Sequence, residues 1–336
     1  MRIFCYFIEP AAYTLDLATN VYNKINIDYT YLYSHSLAES PLTSSKVFLD
    51  QFSWISKIGF VIKNFINNDL IIVNGYNNYA FILTFILNLF LFKKKYIATE
   101  SDTQLSIPKN PLKRLIKWVY LSIIFRNKYV LGFAGGSKSH KELFRYYGMI
   151  EDRVFLMPMM IDNAKFYCDN RLFSNPFTFL YVGRIIKHKN VETLIQQFNT
   201  NFNDKDAVLR IVGSGAESDA LQTKYESNKV NFAGKLLNMD LINEFHNASC
   251  FVCPSLFEPW GLVINEAHSS GLPVIATKEV GACCDLIEGK ETGLIAENNN
   301  EIGEKMLQFF GNQNLLKKYS INASSSTFFA KLLGEE

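Results

Sequence analysis

The sequence predicts an α/β fold: two Rossmann-like, doubly wound domains, each a parallel sheet covered by helices on both faces. Three observations carry this. Short β-rich runs alternate with helical runs along the chain, as parallel strands joined by crossover helices do. The strands are near-continuous apolar runs, which a sheet buried on both faces requires. At 336 residues the chain is long enough for two domains of ordinary size.

In the first half the strands are RIFCYFI, IDYTYLY, DLIIVN, KYIAT, KYVLGFA and RVFLMP. Helical patterns lie around 11–23, 54–67, 78–92, 111–126 and 137–147. The second half alternates more cleanly. FTFLYV, AVLRIV, VNFAG, SCFVCP, PVIAT and GLIA are strands, with helices around 191–199, 216–226, 239–247, 261–270 and 300–310. A boundary falls near MPMMIDNAKF, 157–166, followed by the polar stretch CDNRLFSNPF. The first domain is thus residues 1–160, and the second begins at 161. Two such domains are expected to face each other across a cleft, with the ligand at the carboxyl ends of their strands.

Bulk properties exclude several classes. Hydrophobic residues make up 48% and charged residues 20% of the chain, which fits a globular protein with a sizeable core. The 34 basic and 32 acidic residues nearly balance, at net +2, which argues against a general nucleic-acid binder. The six cysteines form no staple framework. Cys250 and Cys253 are three apart on one strand and so face opposite sides, a poor arrangement for a shared metal. A reducing cytoplasm is the simpler setting. The amino-terminal MRIFCYFIEP reads as a first strand, not a secretory signal. FILTFILNLFLF, 81–92, is too short to span a bilayer.

The chemistry concentrates at strand ends of the second half. In FLYVGRIIKHKNVETLI, Gly183 lets the chain turn, and Arg184, Lys187, His188 and Lys189 follow. Cations at a strand-to-helix junction suit a diphosphate, and a solvated basic loop is the plain alternative. GSGAES lacks the third glycine of a dinucleotide fingerprint and reads as a tight turn. VNFAGKLLNM ends a strand at Gly234, with Lys235 and Leu236 over the ligand side. In EPWGLVINE, Pro259 fixes the loop and Gly261 opens a helix. The amides of Gly261, Leu262 and Val263 are a ready anion site. Glu266 lies one turn in on the face of Leu262 and Val263, and Glu258 approaches from the loop. Two carboxylates bracketing an anion site suit hydroxyl groups.

Together these segments resemble the donor half of family-4 retaining glycosyltransferases, which have the GT-B fold. The resemblance runs over about 130–330 and rests on FLYVGRIIKHKNVETLI, GSGAESDAL, VNFAGK and SCFVCPSLFEPWGLVINEAHSSGLPVIATKEVGACCDLIEGKETGLIAE in the expected order. FAGGSKSHKELFRYYGMIEDRVFLMPMMIDNAKF resembles the segment closing the first domain. The resemblance implies that Arg184 and Lys189 hold the nucleotide diphosphate, and that Glu258 contacts the donor sugar. It makes Glu266 the ribose contact, and Gly261, Leu262 and Val263 backbone contacts to phosphate and sugar. It implies a nucleotide-sugar donor on 161–319, an acceptor on the first domain, and a segment 320–336 returning to that domain. It implies no metal and no cofactor, because cations and helix ends neutralise the leaving diphosphate. Asp204 and Asp206 fit this. Paired aspartates hold metal in another glycosyltransferase class, but these precede AVLRIV at its amino end and read as a solvated loop.

The first half departs from the pattern. FIEPAAYTL replaces a glycine-rich loop, and Asn74 stands where many members have histidine. Asn74, Tyr76 and Asp102 end strands; acceptor contacts and plain turn or capping roles stay open for them. GYNN and TESDT resemble polysaccharide-assembly members, which implies transfer to a lipid-linked intermediate of surface polysaccharide, of O-antigen or capsule type. The alternatives are a GT-B sugar-nucleotide epimerase or phosphorylase, and a catalytically inactive relative that only binds nucleotide or scaffolds a partner. PLKRLIKWVYLSIIFRNKYV, 111–130, and FILTFILNLFLFKKK mix cations with large apolar residues. They suit the cytoplasmic face of an anionic membrane, or are core helices with solvated ends.

Overall fold

A computed structural model of the protein describes residues 1–34, 47–90, 94–159, 161–169 and 171–326. The chain divides into two compact units, Met1–Ile161 and Asp162–Glu336. All twelve expected strands are present.

The first unit holds β1 (Ile3–Phe7), β2 (Asp28–Tyr31), β3 (Leu70–Asn74), β4 (Tyr96–Ser101), β5 (Val130–Ala134) and β6 (Val154–Leu156). They form one parallel sheet in the order β2-β1-β3-β4-β5-β6. Its helices are α1 (Ala12–Leu17), α2 (Trp54–Asn67), α3 (Tyr79–Phe90), α4 (Pro111–Phe125) and α5 (Lys138–Tyr146). Successive strand residues face opposite sides. Phe4, Tyr6, Ile71 and Val73 pack with α2 to α5. Cys5, Phe7 and Ile72 pack with Ala18 and Tyr22, in the π-helical turn after α1. The sheet changes winding direction between β1 and β3, the place where such sheets bind ligands.

The second unit begins with a short helix, α6 (Asn163–Phe166), then β7 (Phe177–Val182), α7 (Val191–Phe202), β8 (Ala207–Val212), α8 (Ser218–Tyr225) and β9 (Val230–Gly234). It continues with α9 (Asn238–Asn247), β10 (Cys250–Cys253), α10 (Leu262–Ser269), β11 (Val274–Thr277), β12 (Gly293–Ala296), α11 (Glu301–Gly311) and α12 (Gln313–Ser325). The order β12-β11-β10-β7-β8-β9 is all parallel. This is the Rossmann order, and its switch point lies between β7 and β10. A core of Phe179, Tyr181, Leu209, Ile211 and Val252 packs with α7, α11 and α12.

Two details depart from the sequence reading. Residues 320–325 do not leave for the first unit: they continue α12, where Ser320 Oγ donates to Gly271 O at 2.7 Å and Ala323 is buried. The rest of that expected return, 327–336, lies outside the described residues, as do Met160, Asn170 and the end of the 78–92 helix with Lys93. Helix α12 itself has no strong apolar stripe; only Leu316, Ser320 and Ala323 are buried. Burial against α10 and α11, not periodicity, makes it stable.

Candidate donor site

The loop after β7 and the loop after β10 flank the switch point of the second sheet. Their backbones join first. Leu256 N donates to His188 O at 2.8 Å. Asn190, in the left-handed conformation at φ 60°, donates from Nδ2 to Pro254 O at 3.1 Å. These bonds carry Lys189 to Glu258, and the two side chains form an ion pair, each only 14% exposed. Glu258 is held from the other side by the loop after β11: its amide donates to Glu279 O at 3.2 Å and its carbonyl accepts from Gly281 N at 3.0 Å. The backbone of Glu258 is therefore held, and Lys189 holds its carboxylate.

Gly261 precedes α10 with φ at +98°. A Cβ there would meet Val280 Cγ1 at 3.1 Å and Glu258 Cγ at 3.2 Å. The position needs glycine for conformation and for room. Gly261 has no side chain with which to cap the start of α10, and the first amides of the helix point along its axis as an anion-attracting end. Ile264, Asn265, Ala267, His268 and Ser269 are buried, while Leu262, Val263 and Glu266 share the half-open face. Trp260 is locked inward, its Nε1 donating to Asn265 Oδ1 at 2.9 Å. Desolvation holds the buried His268 ring down at about 3, so it is neutral.

The other expected residues spread around this centre. Gly183 follows β7, and its carbonyl leaves no room for a side chain at Gly213: a Cβ there would fall 1.8 Å from Gly183 O. A Cβ on Gly215 would fall 2.3 Å from Ile185 O. The glycines of GSGAES thus serve close backbone packing, with Gly183 N on Val212 O at 3.0 Å and Ile185 N on Ser214 O at 2.9 Å. Arg184 lies exposed, its carbonyl accepting from Tyr181 Oη at 2.8 Å. Lys235 and Leu236 follow β9, the edge strand, two strands from β7. Asp204 accepts from Lys205 at 2.9 Å in the turn before β8, at the amino end. Cys250 and Cys253 are buried free thiols, and among the described residues no three His, Cys, Asp or Glu cluster as metal ligands would.

In the first unit, Asn74 Nδ2 donates to Glu100 Oε2 at 3.2 Å. Glu100, near the end of β4, is 3% exposed. Burial lifts its carboxyl to about 7, and Asp102 adds to the rise. Glu100 escaped the sequence reading because the strand KYIAT was ended at Thr99, one residue short of this acid. The signal was its place two residues before Asp102 in a strand that turns out to be central. Tyr76 looks inward: its ring meets Phe125 at 5.6 Å and its carbonyl accepts from Tyr120 Oη at 2.7 Å.

Residues 165–326 match the family model for glycosyl transferases group 1. The second unit is similar to group 1 glycosyltransferases over nearly its whole length. The capsular polysaccharide biosynthesis glycosyltransferase CapM of Staphylococcus aureus is 31% identical over 196 residues, 52% of this chain and 50% of CapM. A probable sucrose-phosphate synthase of Thermosipho melanesiensis is 27% identical over 199 residues, 54% of this chain and 45% of that protein. The chain thus matches about half the length of these curated relatives. The fold extends further: the crystal structure of Anabaena Alr3699/HepE in complex with UDP aligns over 100% of both chains with a TM-score of 0.71, at 16% identity. Both units belong to the GT-B fold, as expected from the sequence.

Proposed function

We propose that the protein transfers a sugar from a nucleotide-sugar donor to a glycan acceptor. The donor diphosphate lies against Lys189, Arg184 and the amides of Gly261, Leu262 and Val263. Glu258 receives hydroxyls of the donor sugar and Glu266 those of the ribose, with Lys235 and Leu236 near the base. The observation that carries this reading is the Lys189–Glu258 pair beside the open end of α10. It sets a cation, a carboxylate and amide donors within one small space, which suits a phosphate with an attached polyol.

In this reading the cations and amides stabilise the leaving diphosphate in place of a metal ion, and the sugar keeps its anomeric configuration. The acceptor is a lipid-linked intermediate of surface polysaccharide, received by the first unit near Asn74 and Asp102. Transfer occurs in the reducing cytoplasm at the membrane face, in keeping with six free cysteines. CapM supports the polysaccharide part by its name; HepE with UDP supports the nucleotide part.

The test is a screen of labelled nucleotide sugars with lipid-linked acceptors. Transfer that survives a chelator and retains the anomeric configuration by NMR is the expected result. A chelator-sensitive or inverting reaction overturns the mechanism. Free epimerised nucleotide sugar, or phosphate-dependent release, identifies the epimerase or phosphorylase reading instead.

A further inference from the structure

The first unit carries a surface that the donor site does not use. Helices α2, α3 and α4 lie on the same face of its sheet, packed on a shared core. They adjoin: Trp54 of α2 meets Tyr79 of α3 at 5.5 Å, and α3 and α4 line one groove with Phe85, Leu89, Trp118, Val119, Ile123 and Arg126. Their outward sides are apolar. Ile55 is 84% exposed, Phe90 83%, Leu112 64%, Leu115 58% and Ile123 61%. Monomeric proteins seldom leave so much contiguous apolar surface in water.

The charge on this face has one sign. None of the three helices contains an Asp or Glu, while Lys57, Lys63, Lys113, Arg114 and Lys117 are interleaved with the apolar residues. Lys57 lies over the Trp54 ring at 5.1 Å and Arg126 over Trp118 at 5.5 Å. The acids that flank α2 are engaged: Asp50 accepts from Ser34 at 2.6 Å and Asp69 from the Arg2 amide at 2.8 Å. The whole unit follows suit. Met1–Ile161 has 18 Lys and Arg against 11 Asp and Glu, net +7, whereas Asp162–Glu336 has 16 against 21, net −5.

We propose that this three-helix face of the first unit docks on an anionic lipid bilayer. Large apolar side chains enter the headgroup boundary while cations on the same helices meet lipid phosphates. Tryptophans 54 and 118 sit where an amphipathic ring is stable, between water and hydrocarbon. Charge complementarity chooses the occupant. A second copy of the same face would set cations against cations, and a water-soluble partner would not need so wide an apolar rim. The inference deepens the membrane part of the proposed function, and its test does not need the sugar chemistry.

The experiment is flotation of the full chain with phosphatidylcholine vesicles, with and without phosphatidylglycerol, at low and high salt. Binding to the anionic vesicles, released by salt, is expected. Lys113→Glu with Arg114→Glu weakens it by about fivefold or more per cation. Leu115→Ser with Ile116→Ser weakens it by about tenfold or more. These side chains are exposed, so an unchanged melting temperature in each variant is the control. Donor hydrolysis should also be unchanged. No vesicle binding at low salt, vesicle binding that ignores α4, or a dimer that α4 substitutions dissociate would each overturn the proposal. Vesicle binding without any use of a nucleotide sugar sinks the proposed reaction and leaves the docking face standing.

Discussion

Lys189, in the turn after β7, pairs with Glu258, in the loop after β10, across the switch point of the second sheet. The two lie 69 residues apart in sequence and reach each other through backbone bonds between their loops. With each side chain 14% exposed, neither charge is well hydrated, and each is compensated in part by the other. Removing either takes away part of the other's compensation, at a cost of about 1–3 kcal/mol.

That dependence predicts non-additivity. Lys189→Ala and Glu258→Ala each lower turnover of the nucleotide sugar by about a hundredfold or more. The double variant is little worse than the singles, because residues acting as a unit lose their effect together. Steady-state rates on purified variants check this, with circular dichroism to confirm the fold. Wild-type rates in both single variants would remove these residues from the site.

Gly261→Ala tests the start of α10. At φ +98° an L side chain is strained by about 1–2 kcal/mol, and the new methyl presses on Val280 and Glu258. A lower denaturation midpoint is expected together with weaker binding of nucleoside diphosphate by calorimetry. A variant that binds as tightly as wild type would show that the amides of this turn do not serve the phosphate.

Two glycines at strand ends should behave oppositely. Gly213→Ala places a methyl 1.8 Å from Gly183 O, where only backbone can yield, so a loss of about 3 kcal/mol or more is expected. Gly234→Ala meets nothing within 4 Å, and only its φ of +68° opposes it, at about 1 kcal/mol. Urea denaturation of the two variants ranks them; the reverse order would contradict the backbone contact between β7 and β8 ends.

Glu100 makes stability depend on pH. Burial, with a smaller contribution from Asp102, raises its carboxyl from 4.5 to about 7 in the folded protein. Between those values the folded state holds a proton that the unfolded state has lost. The contribution to stability therefore falls as pH rises from about 4.5 to about 7, by roughly 3 kcal/mol. Glu100→Gln, which keeps the shape and removes the titration, should gain relative to wild type as pH increases across that window. Parallel pH profiles for the two proteins would show that Glu100 is not a buried acid. Tyr13, Tyr22 and Cys5, whose groups surround it, stay neutral there because burial raises each of them further.

Much of this was legible along the chain. FTFLYV, AVLRIV, VNFAG and GLIA coincide with β7, β8, β9 and β12, and the 54–67 helix with α2. Apolar continuity and turn residues act over a few neighbours, so they survive in the sequence as read. EPWGLVINE also showed its plan early, since a loop proline, a glycine and a helix start are local features. Helix α12 was missed because its stability comes from packing on α10 and α11, and its own residues are mostly polar. The acid-free face was only half visible: the 111–130 and 81–95 segments stood out singly, but α2 joined them only once all three lay on one sheet face.

By itself, then, the sequence determined the succession of strands and helices, the division of the chain near residue 161, and the glycine-opened helix between two carboxylates. The tertiary structure alone decided strand order, β2-β1-β3-β4-β5-β6 in one unit and β12-β11-β10-β7-β8-β9 in the other. That order joined Lys189 to Glu258 and buried Glu100 in the middle of a sheet. The reason is physical. Secondary structure follows from side-chain pattern and backbone preference within a few residues, whereas burial and charge pairing depend on which distant strands become neighbours.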